Sequence, residues 1–318
     1  MRVCFILPLA LVTAVLGPAQ AVYTQTQVDS SGNRVAAGPT EVVTKGGHTE
    51  LSRSISGRIV PLEKTEERVI RDDANGRVVE RLIQRYDPTG IPMSPTKEVI
   101  EEKKLPGGGL STNRAVYTGD VNGRLQLQER SSTQTQVSGN KESSETVVER
   151  SGINGGLEPV SRKSTEKTKS GENYQETSTT YVATQNGSFT PAVKVSKSVT
   201  KTNGQSTENA AEYEIGPSGE LRLHSQKVQN TVKRPDGTED VQVAIYGQQV
   251  AGIVGSFDSG KLSLTEQQHI ERRKTSGDTV VETVEVQRPS LADPSRLGPP
   301  KQLSETICKG QCDKTEGQ

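Results

Sequence analysis

One stretch of the chain has the residue types of a phosphate-binding loop. Gly255-Ser-Phe-Asp-Ser-Gly-Lys261 has the spacing G-x-x-x-x-G-K and follows an apolar run, Val250 to Val254. In such loops the backbone N–H groups hold phosphate oxygens, and a Ser or Thr after the lysine binds magnesium. Leu262 occupies that position instead, and no apolar run ending in Asp supplies the second half of the site. The sequence therefore favours a turn that matches the motif by chance.

Residues that could bind metal or act as nucleophiles are poorly placed for either role. His48, His224 and His269 are far apart, and none has another His or Cys at the spacing of a zinc pair. The segment Asp120-Val-Asn-Gly123 begins like a calcium loop but lacks the downstream bidentate Glu, so an Asx turn is the simpler interpretation. No Ser has the flanking glycines of a nucleophile elbow. We expect no metal, no cofactor and no catalytic residue.

Two cysteines near the C-terminus are the disulfide candidate. Cys308 and Cys312 are the only cysteines beyond the N-terminal segment, and an oxidising compartment favours a bond between them. The alternative is a redox pair, which favours C-x-x-C spacing at the start of a helix. Lys309-Gly-Gln separates these two instead. The predicted disulfide closes a loop too short to stabilise the whole fold appreciably.

The N-terminus has the pattern of a secretory signal peptide. Arg2 precedes an apolar run from Val3 to Leu16, and Ala19-Gln-Ala21 supplies the small residues before a cleavage site. We predict that residues 1–21 are removed and that the mature chain begins at Val22. The alternative is a membrane anchor, but about 14 apolar residues are fewer than the roughly 20 that a spanning helix needs. The mature protein is expected to be secreted or periplasmic, without a membrane span.

The composition favours a thin, polar sheet over a thick core. The 318 residues include 39 Lys and Arg, 39 Asp and Glu, three Phe and no Trp. The balanced charge lacks the basic footprint of a nucleic-acid-binding protein, so we expect no nucleic-acid partner. Scarce aromatic residues argue against sugar-stacking sites and against the aromatic girdles of an outer-membrane barrel.

The segment Gly171–Gly204 shows the unit from which we expect the chain to be built. Two runs rich in Thr, Val, Tyr and Ser are separated by Asn-Gly, a dipeptide that readily supplies the positive φ angles of a hairpin turn. In the second run Val193, Val195 and Val199 share one parity, and Lys197 interrupts their apolar face. The segment is therefore predicted to form a long β-hairpin.

Tyrosines and glycine-containing turns recur with a period of about 32 residues. The tyrosines in phase are Tyr86, Tyr117, Tyr181, Tyr213 and Tyr246. One tyrosine is missing near Ser151, and Tyr174 is off phase. We predict an all-β fold over residues 22–287, a repeat-built extended antiparallel sheet or spiralling meander of long β-hairpins, with about 32 residues per two-strand repeat.

Two segments do not fit this pattern clearly. Leu264–Arg273 follows a possible capping box and is undecided between a strand and a short helix. Residues 288–318 are rich in Pro and Gly at their start, and we predict a flexible C-terminal tail.

These features favour a function without catalysis. We expect an exported structural or interaction protein of the cell envelope or extracellular space, whose repetitive β surface makes multivalent contacts with a macromolecule and allows self-association. The alternative is an exported enzyme or ligand carrier whose site is assembled from dispersed residues. Binding that falls gradually as whole repeats are removed would indicate the first class, whereas a turnover activity abolished by one point substitution would indicate the second.

Overall fold

A computed structural model describes residues 19–28, 34–55, 58–120, 123–152, 154–216, 218–248, 262–275, 279–290, 293 and 296–310. Over these residues the fold is all-β, with eighteen antiparallel strands and a 3-10 turn at Pro106–Gly108. No helix in the described part of the chain is long and apolar enough to cross a membrane.

The strands are long, many of them ten residues or more. They are β1 (Ala19–Val28), β2 (Arg34–Lys45), β3 (His48–Ile55), β4 (Arg58–Asp73), β5 (Gly76–Arg85), β6 (Thr96–Lys104), β7 (Leu110–Gly119), β8 (Leu125–Ser138), β9 (Lys141–Ser151), β10 (Leu157–Ser170), β11 (Asn173–Ala183), β12 (Phe189–Thr202), β13 (Gln205–Ile215), β14 (Leu221–Lys233), β15 (Glu239–Gln248), β16 (Leu262–Lys274), β17 (Thr279–Gln287) and β18 (Lys301–Gly310). The predicted meander of long hairpins is confirmed, and β9, β11 and β13 begin 32 residues apart.

The strands pair in chain order, and the order returns to its start. Each strand from β2 to β17 pairs with the strand before it and the strand after it. β1 pairs with β2 and also with β18. The pairings of the single sheet therefore form a ring, which gives the sheet an inner and an outer face.

The two ends of the sheet have different connections. Odd strands lead into even strands through loops, and four of these are residues 120–124, 152–156, 184–188 and 216–220. In one of them Thr184 N donates to Ser188 O at 2.8 Å. The opposite end has tight turns such as Asn203-Gly204, with φ of 44° and 80°, the pattern of a two-residue hairpin turn. We call the first end the loop end.

One face carries all the buried apolar side chains of the described residues. Directly opposed residues of neighbouring strands project to the same face, so the register assigns every side chain to a face. The buried apolar residues assigned in this way to one face are Val60, Val79, Ile83, Val199, Val243, Val286 and Cys308. Side chains converge on a concave surface, so this is the inner face.

The sheet is a single layer around an open interior. In the described part of the chain, each strand contacts mainly the strands it pairs with. A few smaller contacts join strands that are two apart in the sheet, such as β14 and β16, and strands on opposite sides of the ring do not pack against each other. Each strand is therefore held mainly by its two neighbours.

Two sequence predictions are settled by the strands. Leu264–Arg273, which was undecided, lies within β16. The prediction of a flexible tail over residues 288–318 is wrong for β18, because Lys301–Gly310 pairs with both β17 and β1. The Pro-rich residues before it form a connection, with an isolated bridge between Pro289 and Leu297. Residues 1–18, which hold most of the predicted signal peptide, lie outside the described residues.

Gly76 is a position where the fold needs a residue without a side chain. A Cβ atom there would lie 2.0 Å from the Glu102 carbonyl oxygen of β6, so Gly76→Ala requires the backbone to move. We expect the free energy of unfolding to fall by about 1–3 kcal/mol, measured in urea. Gly156→Ala is the control, because a Cβ at Gly156 meets nothing within 4 Å. Equal unfolding midpoints for the two variants would contradict the prediction.

Candidate interaction surface

Each of the three histidines lies beside a different carboxylate. His48 lies 3.7 Å from a Glu66 carboxylate oxygen, His224 3.2 Å from Glu214, and His269 3.1 Å from Asp240. The described residues contain no group of three His, Cys, Asp or Glu side chains able to hold a metal ion. The phosphate-loop-like segment, residues 255–261, lies outside the described residues.

Two other candidates from the sequence have structural roles. Asp120 accepts a hydrogen bond from Arg124 N at 2.9 Å, which closes the loop between β7 and β8 as an Asx-type turn. Cys308 is 5% exposed on the inner face and is disulfide-bonded. Cys312 lies outside the described residues, so the pairing of Cys308 with Cys312 remains a prediction.

Four of the five tyrosines that are in phase mark bulges in the sheet. The register shifts between residues 116 and 117, 180 and 181, 212 and 213, and 245 and 246, in the hairpins β7–β8, β11–β12, β13–β14 and β15–β16. Each shift leaves one residue of the even strand unpaired, as in a β-bulge, which re-aims neighbouring side chains. The 32-residue phase of the tyrosines is therefore the phase of a structural irregularity near the loop end.

Each of these tyrosines is opposed by an apolar residue on the outer face. The opposed pairs are Tyr117 with Leu127, Tyr181 with Pro191, Tyr213 with Leu223, and Tyr246 with Leu264. A second rank, two residues nearer the loops, contains Leu125, Phe189, Leu221 and Leu262. We call these twelve residues the tyrosine band. Leu125 and Leu221 are 41% and 50% exposed, so the band is open to contact.

Three of the band tyrosines have a lysine or arginine side chain beside them on the outer face. The residue directly opposite the tyrosine on the preceding strand is Lys97 for Tyr117, Arg162 for Tyr181 and Lys194 for Tyr213. The Arg162 guanidinium carbon lies 4.4 Å from the centre of the Tyr181 ring and 5.4 Å from that of Phe189. These are cation–π distances.

The unit is altered in the hairpin β9–β10, where the sequence lacks a tyrosine. Glu149 occupies the tyrosine position, opposite Pro159 and beside Arg130. Arg130 Nε donates to a Glu149 carboxylate oxygen at 2.8 Å. An ion pair therefore replaces the aromatic contact at this point of the band.

Sequence reasoning located the tyrosines but missed their partners. A signal was present on the even strands, where an apolar residue is followed three positions later by a cation. Examples are Leu127 with Arg130, Pro159 with Arg162, and Pro191 with Lys194. The bulge between the two members puts both on the outer face, whereas a regular strand would put them on opposite faces.

The inner face is ion-paired instead of aromatic. Arg114 Nη2 lies 2.5 Å from a Glu98 oxygen and Nη1 lies 3.3 Å from Glu129, whose other oxygen lies 2.9 Å from Arg150 Nε. With Arg81 opposite Glu98 and 2.8 Å from Glu67, oppositely charged side chains alternate from β4 to β9. Charges of both signs line this face in close pairs, so the ladder offers no free charge to a ligand.

Lys197, which interrupts the apolar parity of β12, is also paired on the inner face. Its ammonium nitrogen lies 2.8 Å from a Glu208 oxygen and 5.9 Å from the Tyr174 ring centre. Burial works against the charge of Lys197, but hydrogen bonds to Glu208 and Tyr174 outweigh it and raise its pKa. Tyr174, the tyrosine that is off phase, faces inward. Lys167 Nζ lies 4.3 Å from the centre of its ring.

The best candidate for an enclosed site is a shallow depression on the outer face of β15–β17. Its volume is about 250 Å³, below the range of roughly 300–1,000 Å³ that is usual for ligand pockets. Gln242, His269 and Glu285 line it, and His269 Nδ1 lies 3.8 Å from a Glu285 oxygen. The described lining residues include no Ser, Cys or Lys that could act as a nucleophile.

Comparison with known proteins yields a likeness of fold. No protein-family model and no curated protein matches the chain. A solved structure of Salmonella typhi OmpF in complex with daunomycin is similar, with a TM-score of 0.54 over 92% of this chain and 96% of that chain. The two sequences are 6% identical. At this identity the likeness concerns the fold alone: the chain folds like a porin sheet.

Proposed function

We propose that the chain is an exported, non-enzymatic interaction protein of the cell envelope or extracellular space. The observation that carries the proposal is the recurrence of one contact unit, a tyrosine opposed by an apolar residue, at the same layer of four hairpins. Units of neighbouring hairpins are two strands apart, about 10 Å. Several weak contacts on one rigid frame add up to a firm attachment without a deep site.

Other features support this assignment. The similar fold of OmpF, a porin, fits a place in the envelope. The signal-like N-terminus predicts export. The depression at His269 is smaller than usual ligand pockets, whereas the tyrosine band includes leucines that are 41% and 50% exposed.

A graded series of substitutions tests multivalency. Envelope fractions of the source cells are sedimented with the mature chain and with variants in which Tyr117, Tyr181, Tyr213 and Tyr246 are replaced by Ser one after another. We expect each substitution to weaken binding about fivefold or more. Tyr174→Ser, on the inner face, is the matched control and should leave binding unchanged.

Two outcomes would contradict the proposal. Loss of all binding with the first substitution would indicate one localised site, as in the enzyme or carrier class. Unchanged binding after all four substitutions, in variants whose circular dichroism spectra are intact, would show that the band is not the contact surface.

A further inference from the structure

The part of the tyrosine band on β10–β14 combines apolar side chains with uncompensated positive charge. This arc contains two consecutive tyrosines, Tyr181 and Tyr213, and their partners. Arg162 and Lys194, the cations beside them, form no ion pair with any described residue. A partner for this arc should therefore bring negative charge together with an apolar surface.

The height of the band limits what that partner is. The two ranks are about 7 Å apart along the strands. Outer-membrane sheets that span a bilayer have an apolar band about 25 Å tall, so this band is too low to span. Elements that lie on a bilayer bury only their apolar side chains, about 5–10 Å deep, and side chains that project from the outer face can do this without burying the strand backbone.

Tyrosine and arginine are suited to the bilayer surface. A tyrosine ring is apolar along its body and polar at its hydroxyl, and such rings settle at the level of the lipid headgroups. Unpaired Arg and Lys side chains are attracted to anionic headgroups. The outer face next to the band carries uncharged polar residues, including Thr177, Ser196 and Ser198, which can contact hydrated headgroups without the cost of burying a charge.

We propose that the tyrosine band of β10–β14 docks side-on to the surface of a bilayer that contains anionic lipid, without crossing it. The proposal rests on the proposed function and names its partner. In the side-on position the polar loops 184–188 and 216–220 lie beside the contact, not beneath it. Their short spans are closed by backbone hydrogen bonds such as Gly216 N to Glu220 O at 2.9 Å, so they do not obstruct it.

Vesicle sedimentation tests the docking. The mature chain is mixed with vesicles of phosphatidylcholine plus phosphatidylglycerol, and separately with phosphatidylcholine alone. We expect binding to the anionic vesicles that weakens as salt is added. Arg162→Gln/Lys194→Gln should weaken it about 30-fold, and Tyr181→Ser/Tyr213→Ser should weaken it at least tenfold, while Tyr174→Ser binds like the parent.

The outcomes separate the docking proposal from the proposed function. The docking proposal is overturned if the chain binds neither kind of vesicle, or if both double variants bind as tightly as the parent chain. If envelope binding still falls stepwise with the tyrosines and survives lipid extraction, the partner is a wall polymer or protein and the proposed function stands. The cation variant keeps the test decisive if the tyrosine variant does not fold, because Arg162 and Lys194 are not part of the inner face.

Discussion

Removal of β18 is expected to have the largest effect on this fold. A chain that ends at Pro300 loses a strand that pairs with β1 from Ser304 to Gly310 and with β17 from Lys301 to Lys309. The strand has seven opposed pairs with β1 and eight with β17, and each contributes roughly 0.2–1 kcal/mol, so we expect a loss of about 3–15 kcal/mol. Thermal unfolding followed by circular dichroism should show a much lower midpoint.

The same truncation should change the state of association. Without β18, the strands β1 and β17 each present a row of unpaired backbone N–H and C=O groups, which template pairing with another chain. Light scattering after size exclusion is expected to show oligomers for the chain ending at Pro300. A chain ending at Gly310 is the control, because it keeps β18 but lacks Cys312. If both truncated chains were monomers with equal midpoints, the ring of pairings would not stabilise the protein.

The importance of β18 also shows where sequence reasoning ends. Its residues Lys301–Gly310 have no clear alternation of apolar and polar side chains, so no local pattern marked them as a strand. The strand forms because two neighbours are available to it, and the neighbour β1 is nearly the whole chain away in sequence. Closure of the sheet is a property of pairings between distant segments, which local turn and parity patterns do not encode.

Local signals were sufficient for the hairpins and for the faces. Turn residues and parity predicted the long strands, and the opposite parity of Tyr174 and Tyr181 already places their side chains on different faces. The composition showed that aromatic residues are scarce, but it did not predict that most of the tyrosines lie at one level of the outer face. Four of the seven tyrosines belong to one layer of the outer face, because the bulges align them with apolar residues of the next strand.

Arg114 is the residue of the inner ladder whose loss should destabilise the protein most. It contacts both Glu98 and Glu129, and the Glu98 side chain is only 12% exposed. Arg114→Met leaves the Glu98 carboxylate with little water and no described ion partner. Breaking a fully buried pair costs about 3–5 kcal/mol. Because Arg114 is itself partly exposed, we expect a smaller loss, about 1–3 kcal/mol in the free energy of unfolding.

A matched pair of variants separates burial from simple charge removal. Arg222 also contacts a carboxylate, with Nη2 2.7 Å from a Glu220 oxygen, but its side chain is 67% exposed. Arg222→Met should therefore change stability by less than about 0.5 kcal/mol. Adding Glu98→Gln to Arg114→Met removes the unpaired carboxylate charge. It should restore part of the lost free energy of unfolding, which a double-mutant cycle in urea measures. If Arg114→Met and Arg222→Met unfold at the same midpoint, the Glu98–Arg114 pair is as accessible to water as the exposed Glu220–Arg222 pair, and the ladder contributes no more than any surface ion pair.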